Sequence, residues 1–331
     1  MSFIRPEVLL DHLSSVVGQT DLKRKLASVF SQYTLYLQDE LAERPTALIY
    51  GPSGAGKTYA VETLASSLEL PVTIVGAPGI SLASHKGATF RDVLVQHYLN
   101  FKQDEGIIFL DEIDKWCQTV IGRDHEALGV AKRLQSELLR FIEAEKVEFI
   151  DESDEHEQLE NQQTGEIVVF NTKRILWVVG GAFIGLEEIV RKRLQNYGNV
   201  DTEFLLEHAT APDFEAYGLI RELVGRIQSW SFAKPLTRQE LIQILQQQEV
   251  PRWQRRMAAV GCELTVDQGA LAECANAAYE VKTGARGAAS YLRRAMDDLF
   301  LEASRHKLKQ LQVTHSLIRT GHLEVLDALP A

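Results

Sequence analysis

The sequence lacks any excess of positive charge. Its 35 lysines and arginines face 46 aspartates and glutamates, a formal net charge of −11, which argues against nonspecific affinity for nucleic acid or an anionic membrane surface. Long apolar runs are missing too. The longest, "ILWVVGGAFIGL" (Ile175–Leu186), falls short of the ~20 residues that a membrane-spanning helix needs. The opening stretch "MSFIRPEVLLDHLSS" contains no apolar core of signal-peptide type. Cysteine is scarce: Cys117, Cys262 and Cys274 lie far apart without metal or disulfide spacing, so they read as ordinary reduced thiols. Repeats and low-complexity tracts are absent. These absences together predict a cytoplasmic protein with neither a membrane nor a nucleic-acid partner. What is present is 331 residues, 45% of them hydrophobic, long enough for two domains with proper cores.

Along the chain, short apolar runs alternate with helical periodicity. "TALIYG", "PVTIVGAPG", "GIIFLDEID" and "RILWVVGG" read as buried strands, and "VEFID" with "GEIVVFNT" as a hairpin around an acidic loop. Helical stretches separate them, including "RLQSELLRFIEAE" and "GLEEIVRKRLQNY". This alternation predicts an α/β fold in which a parallel sheet is covered by helices on both faces. After "WSFAKPLT" the strands are expected to stop. A helical block follows, ended by an edge strand in "QLQVTHSLI". The predicted division is therefore a large α/β domain over 1–233, with an N-terminal helical segment, and a small helical domain over 234–331.

The most informative stretch is "GPSGAGKT", which follows an apolar strand and precedes the helical "YAVETLASSL". It satisfies the complete GxxxxGK[ST] phosphate-loop pattern in the strand–loop–helix context that the pattern requires. Gly51, Pro52, Ser53, Gly54, Ala55 and Gly56 form a loop whose backbone N–H groups can turn inward to cradle phosphate oxygens at a helix N-terminus. Lys57 would reach the β- and γ-phosphates of ATP, and the Thr58 hydroxyl would bind Mg²⁺. "IIFLDE" supplies the complement by placing Asp111 and Glu112 at the carboxyl end of a buried strand, where ligands of open α/β sheets sit. Asp111 would hold the magnesium ion, largely through water, and Glu112 would orient and polarise the attacking water. Asp114 and Lys115 read as a surface ion pair on the following turn.

With "VVGQ", "LDEIDK", "ILWVVGGAFIGLEEIV", "YGLIRELVGRI" and "KTGARG" in that order, the chain from about Arg5 to His306 resembles the AAA+ ATPases of the ClpX/HslU type. The resemblance implies a P-loop AAA+ large domain followed by a small helical lid domain. It implies that Val16 and Val17 line the adenine pocket, and that Arg226 is an arginine finger serving the ATP of a neighbouring subunit. It also implies that Arg286 is the sensor arginine of the lid. A finger acting in trans implies a homo-oligomeric ring, expected to be a hexamer. At the sensor-1 position stand Gly180 and Gly181, where many relatives of the superfamily carry a polar side chain.

Four departures qualify the resemblance. The chain is expected to lack the family's zinc-binding adaptor domain. Where the polypeptide-threading loop carries an aromatic, "SLASHKGATF" places His85 and Lys86, with Phe90 shifted toward the next helix. No Ile-Gly-Phe type tripeptide for peptidase docking lies in "VDTEFLLEHATAPDFEA", which argues against delivery to ClpP. The entrance loop "DESDEHEQLENQQ" carries Asp151, Glu152, Asp154, Glu155, Glu157 and Glu160. A ring of such loops would favour a partner with a basic surface. Two functions follow: an ATP-hydrolysing ring that remodels or unfolds a protein partner, or a nucleotide-gated scaffold or switch that recruits an effector.

Overall fold

A computed structural model of the chain describes residues 2–39, 43–82, 87–117, 125–143, 145–151, 166–195 and 205–320. The chain divides into two compact units, one of residues 1–51 with 57–233, the other of residues 52–56 with 234–331.

In the first unit the order is α1 (Pro6–His12), α2 (Thr20–Tyr36), β1 (Thr46–Tyr50), α3 (Lys57–Ser67), β2 (Val72–Gly76), α4 (Phe90–Phe101), β3 (Gly106–Asp111), α5 (His125–Glu143), β4 (Lys146–Asp151), β5 (Glu166–Asn171), β6 (Ile175–Gly181), α6 (Leu186–Leu194), α7 (Ala211–Tyr217), α8 (Arg221–Val224) and β7 (Ser229–Phe232). Five strands form a sheet in the order β2-β3-β6-β1-β7 with every pairing parallel. The residues of β1 and β6 are all buried, which explains their unbroken apolar runs: helices cover both faces, so neither face selects polar residues. The expected α/β fold is the one observed. β4 and β5 pair antiparallel as a separate hairpin, as "VEFID" and "GEIVVFNT" predicted.

One buried side chain ties helix to sheet. The Tyr33 hydroxyl on α2 accepts from Gly106 N–H (2.9 Å) and lies in donor range of the carbonyls of Arg174 (2.7 Å) and Gly106 (3.0 Å). Burial, opposed by the hydrogen bond from Gly106, raises its pKa well above the ordinary tyrosine value. It therefore stays a neutral, satisfied hydroxyl at the starting edge of β3 and β6.

The second unit contains α9 (Arg238–Ile244), α10 (Val250–Ala259), β8 (Glu263–Val266), α11 (Gln268–Glu280), α12 (Gly284–His306), β9 (Gln310–Val313) and α13 (His315–Thr320). Its core gathers Leu241, Trp253, Met257, Leu271, Leu292 and Met296. The expected mainly helical block is observed, but its single edge strand needs correction. "ELTV" pairs in parallel with "QLQV", and "HSLIRT" is helical rather than extended. In both strands the second residue is buried and the first is exposed, a period-2 pattern too short to stand out between long helices.

The three cysteines are buried free thiols. Burial pushes Cys117 and Cys274 each up to about 12, which removes thiolate chemistry near neutral pH.

Candidate functional site

Glycine shapes the loop after β1. Gly51, Gly54 and Gly56 all have positive φ, which non-glycine residues adopt only at a cost. Within the second unit, the Gly54 carbonyl accepts from Ala285 N–H at 3.0 Å, and a Cβ on Gly54 would stand 2.5 Å from the Thr283 carbonyl oxygen. Glycine is thus demanded there by space as well as by torsion.

The helix after the loop begins at Lys57, so its first N–H groups have no intrahelical acceptor and are oriented for anion binding. Lys57 is buried, and its Nζ donates to the Gly51 carbonyl at 2.7 Å. Next to it, the Thr58 hydroxyl lies 3.4 Å from Asp111 Oδ2. A hydroxyl and a carboxylate converging from α3 and β3 are hard oxygen donors of the kind magnesium takes, with its remaining positions left to phosphate and water. The residues present fit that ion. The other Asp111 oxygen accepts from Glu112 N–H at 2.8 Å.

Glu112 itself is exposed and sits in the left-handed region, φ 61° and ψ 30°. A non-glycine residue there carries strain of order 1 kcal/mol, a feature that concentrates at functional sites. This torsion turns the chain out of β3 into a 3₁₀ turn over Ile113–Trp116 and leaves the Glu112 carboxylate at the strand's carboxyl end.

The reading of Asp114 as a surface residue is overturned: its side chain is fully buried. Asp114 Oδ1 accepts from Ala182 N–H at 3.2 Å, just past β6, while Oδ2 has no partner among the described residues. The apolar side chains around it supply the reason. Ile113, Trp116 and Cys117 are all buried, so the turn lies inward and carries the aspartate with it. Two glycines accommodate these carboxylates. A Cβ on Gly180 would stand 3.0 Å from Asp111 Oδ1 and 2.7 Å from the Phe109 ring; one on Gly181 would stand 2.7 Å from Asp114 Oδ1. Positions 180 and 181 hold glycine because neighbouring side chains already fill the space a Cβ would need.

Val16 and Val17 are buried in the turn between α1 and α2, and the Val16 carbonyl accepts from Lys23 Nζ at 2.8 Å. Arg286 is exposed in the first turn of α12. Arg226 follows α8, half-exposed, with Nε and Nη2 2.7 and 2.5 Å from Glu143 Oε1. Its backbone is fixed at the opening of β1: the Thr46 hydroxyl donates to the Arg226 carbonyl and accepts from Gln228 N–H. The phosphate loop leaves the other end of that strand, five residues on, a rise of about 16 Å. Phe90 is the first residue of α4 and buried against Trp116 and Phe141, so it is a core aromatic. His85 and Lys86 lie outside the described residues, as do Glu152, Asp154, Glu155, Glu157, Glu160 and the side chain of Asp151.

Sequence comparison finds a match for each of the two units. Residues 47–179 fit the family model for the ATPase family associated with various cellular activities (AAA). Residues 236–315 fit the model for the C-terminal, D2-small domain of ClpB protein. These matches support a ClpX-like AAA+ ATPase. Curated relatives bear the name ATP-dependent Clp protease ATP-binding subunit ClpX. The one from Bacteroides thetaiotaomicron is 29% identical over 327 residues, covering 90% of this chain and 77% of the relative. That from Treponema denticola is 27% identical over 340 residues, covering 95% and 81%, and that from Porphyromonas gingivalis 28% over 355 residues, covering 98% and 84%. This AAA+ chain is accordingly an ATP-hydrolysing enzyme, and no helix among its described residues is long and apolar enough to cross a membrane.

Proposed function

We propose that this ATPase works as a homo-oligomeric ring of six subunits, in which each ATP is shared by two neighbours and its hydrolysis remodels a protein partner. The placement of Arg226 carries the proposal. Its backbone is bound to the first residue of β1, whereas the loop that cradles phosphate leaves the last. A three-methylene side chain does not span about 16 Å, so Arg226 does not reach its own subunit's phosphates, which leaves a neighbour's nucleotide as the one a finger here can serve. A cation supplied in trans stabilises charge on the transferred phosphoryl group and is worth ~10³–10⁵ in rate.

The remaining roles follow from position. Backbone N–H groups of the 51–56 loop bind the phosphates together with the start of α3, apart from Pro52, which has none, and Gly51, whose N–H goes to the Gly181 carbonyl. Lys57 adds its charge to the β- and γ-phosphates, and Val16 and Val17 receive the adenine. Thr58 and Asp111 would hold Mg²⁺, largely through water, and the ion would supply positive charge to the phosphate oxygens. Glu112, turned out of β3, orients the attacking water and takes up its proton. Arg286 reports nucleotide state to the second unit.

Delivery to ClpP is not part of the proposal, because no docking tripeptide stands between residues 195 and 217. A second reading, a nucleotide-gated switch that recruits an effector, is favoured by one observation: His85 and Lys86 stand where the threading aromatic belongs. One experiment separates the two. The Glu112→Gln variant, loaded with ATP, captures the partner, and the wild-type protein is then given that partner and ATP. Loss of the partner's folded-state signal supports remodelling; stable binding without unfolding supports the switch.

A further inference from the structure

One helix grips the segment that carries Arg226 at both ends. Gln135, in the middle of α5, is buried with 1% exposure. Its Nε2 donates to the Gly218 carbonyl at 3.2 Å, and its Oε1 accepts from Ile220 N–H at 2.8 Å. Ile220 is the N-cap of α8 with extended backbone, so no helical acceptor takes its N–H. Without Gln135 both backbone groups would have to find water or go unpaired. Eight residues on, or about 12 Å along the helix, α5 ends at Glu143. There one carboxylate oxygen takes both Nε and Nη2 of Arg226. A carboxylate at a helix C-terminus is opposed by the dipole, so the guanidinium offsets an otherwise unfavourable placement. Two of the five guanidinium donors are used, and the rest stay available to a phosphate.

The same segment abuts the turn that follows Glu112. A Cβ on Gly218 would stand 3.2 Å from both Cβ and the carbonyl oxygen of Cys117, the residue that closes that turn. The position of α8 is therefore set by α5 from one side and by Cys117 from another.

We infer that Gln135 and Glu143 are positioning residues for Arg226, the first fixing where its segment starts and the second fixing how its guanidinium is aimed at the neighbouring subunit. This rests on the reading of Arg226 as a finger in trans, and the test separates the two. Glu143→Ala, an exposed change that spares the core, lowers kcat about two- to fivefold, the range of an exposed ion pair, with ATP affinity unchanged. Gln135→Ala lowers kcat about tenfold or more, because misplacing a reacting group by ~1 Å can cost 10²-fold. Each variant is then mixed with a large excess of Glu112→Gln protein, whose own sites do not turn over but whose Arg226 segment is intact. Turnover per Glu143→Ala or Gln135→Ala site rises to that of wild-type sites diluted in the same way, because the finger now comes from an unaltered neighbour. An unchanged kcat for Glu143→Ala overturns the inference. So does a lowered kcat that mixing fails to restore while that of Arg226→Ala is restored, since both residues would then act on their own subunit's site. If Arg226→Ala is not restored either, the finger reading falls and takes this inference with it.

Discussion

Placing a polar side chain at position 180, the first of the two glycines that end β6, should damage this protein. The substitution is Gly180→Asn. Its Cβ would stand 2.7 Å from two atoms of the Phe109 ring and 3.0 Å from Asp111 Oδ1, and both neighbours lie on β3, which pairs with β6. The ring is fully buried and has nowhere to withdraw. Overpacking of this kind costs about 1–3 kcal/mol, which for a unit of this size lowers the melting temperature by roughly 2–4 °C per kcal/mol. The carboxylate can move, but only by leaving the 3.4 Å approach to Thr58 or the bond from Glu112 N–H. Magnesium-dependent nucleotide binding should weaken along with stability. Thermal unfolding and titration with ATP in the presence and absence of Mg²⁺ measure the two effects. A Gly180→Asn protein with wild-type melting temperature and wild-type magnesium dependence would refute the argument that Phe109 and Asp111 exclude a side chain here.

Other expectations are simpler. Glu112→Gln should retain ATP binding and lose turnover by about 10²–10⁴-fold, the usual worth of a general base; steady-state phosphate release checks it. Tyr33→Phe should cost about 1–3 kcal/mol in urea denaturation, because Gly106 N–H and the Arg174 carbonyl lose a buried partner. The pH dependence of stability should carry a contribution from Asp213. Burial pushes its carboxyl pKa upward, but hydrogen bonds from Arg193 and Thr210 outweigh that and hold it below the ordinary value. A depressed pKa stabilises the fold above the unfolded-state value of about 3.9 and is lost as pH falls through the folded one. The stability difference between wild type and Asp213→Asn should therefore be greatest near neutrality and shrink below about pH 4, in chemical denaturation across that range.

The sequence disclosed the parts of this molecule whose cause is local. Buried parallel strands leave uninterrupted apolar runs, and a phosphate loop needs its glycines, lysine and threonine in consecutive positions, so "TALIY" and "GPSGAGKT" could be read directly. Asp114 was misplaced because a charged residue beside a lysine ordinarily faces water. The signal that could have placed it was the apolar flank of Ile113, Trp116 and Cys117, which turns this stretch inward and leaves only Lys115 of the five residues exposed. Glu143 and Gln135 were invisible for a different reason. Their partners lie more than eighty residues away, and nothing in helical periodicity says which polar residue of α5 will meet which loop. The glycines at 180 and 181 were legible as a departure from the superfamily, but their cause, the closeness of Phe109, Asp111 and Asp114, is a matter of register between β3 and β6. The short strand β8 escaped because four residues of alternation are too few to distinguish from a helix boundary.

The central claim is that Arg226 acts on a neighbour's ATP, and complementation in trans tests it most directly. Arg226→Ala and Glu112→Gln proteins, each without turnover alone, are mixed in equal amounts and assayed for ATP hydrolysis. If each site needs Glu112 from one subunit and Arg226 from the next, random assembly leaves roughly a quarter of the sites intact, and activity returns to about that fraction of wild type. A mixture as inactive as its components, under conditions in which the two proteins co-assemble, would contradict the account.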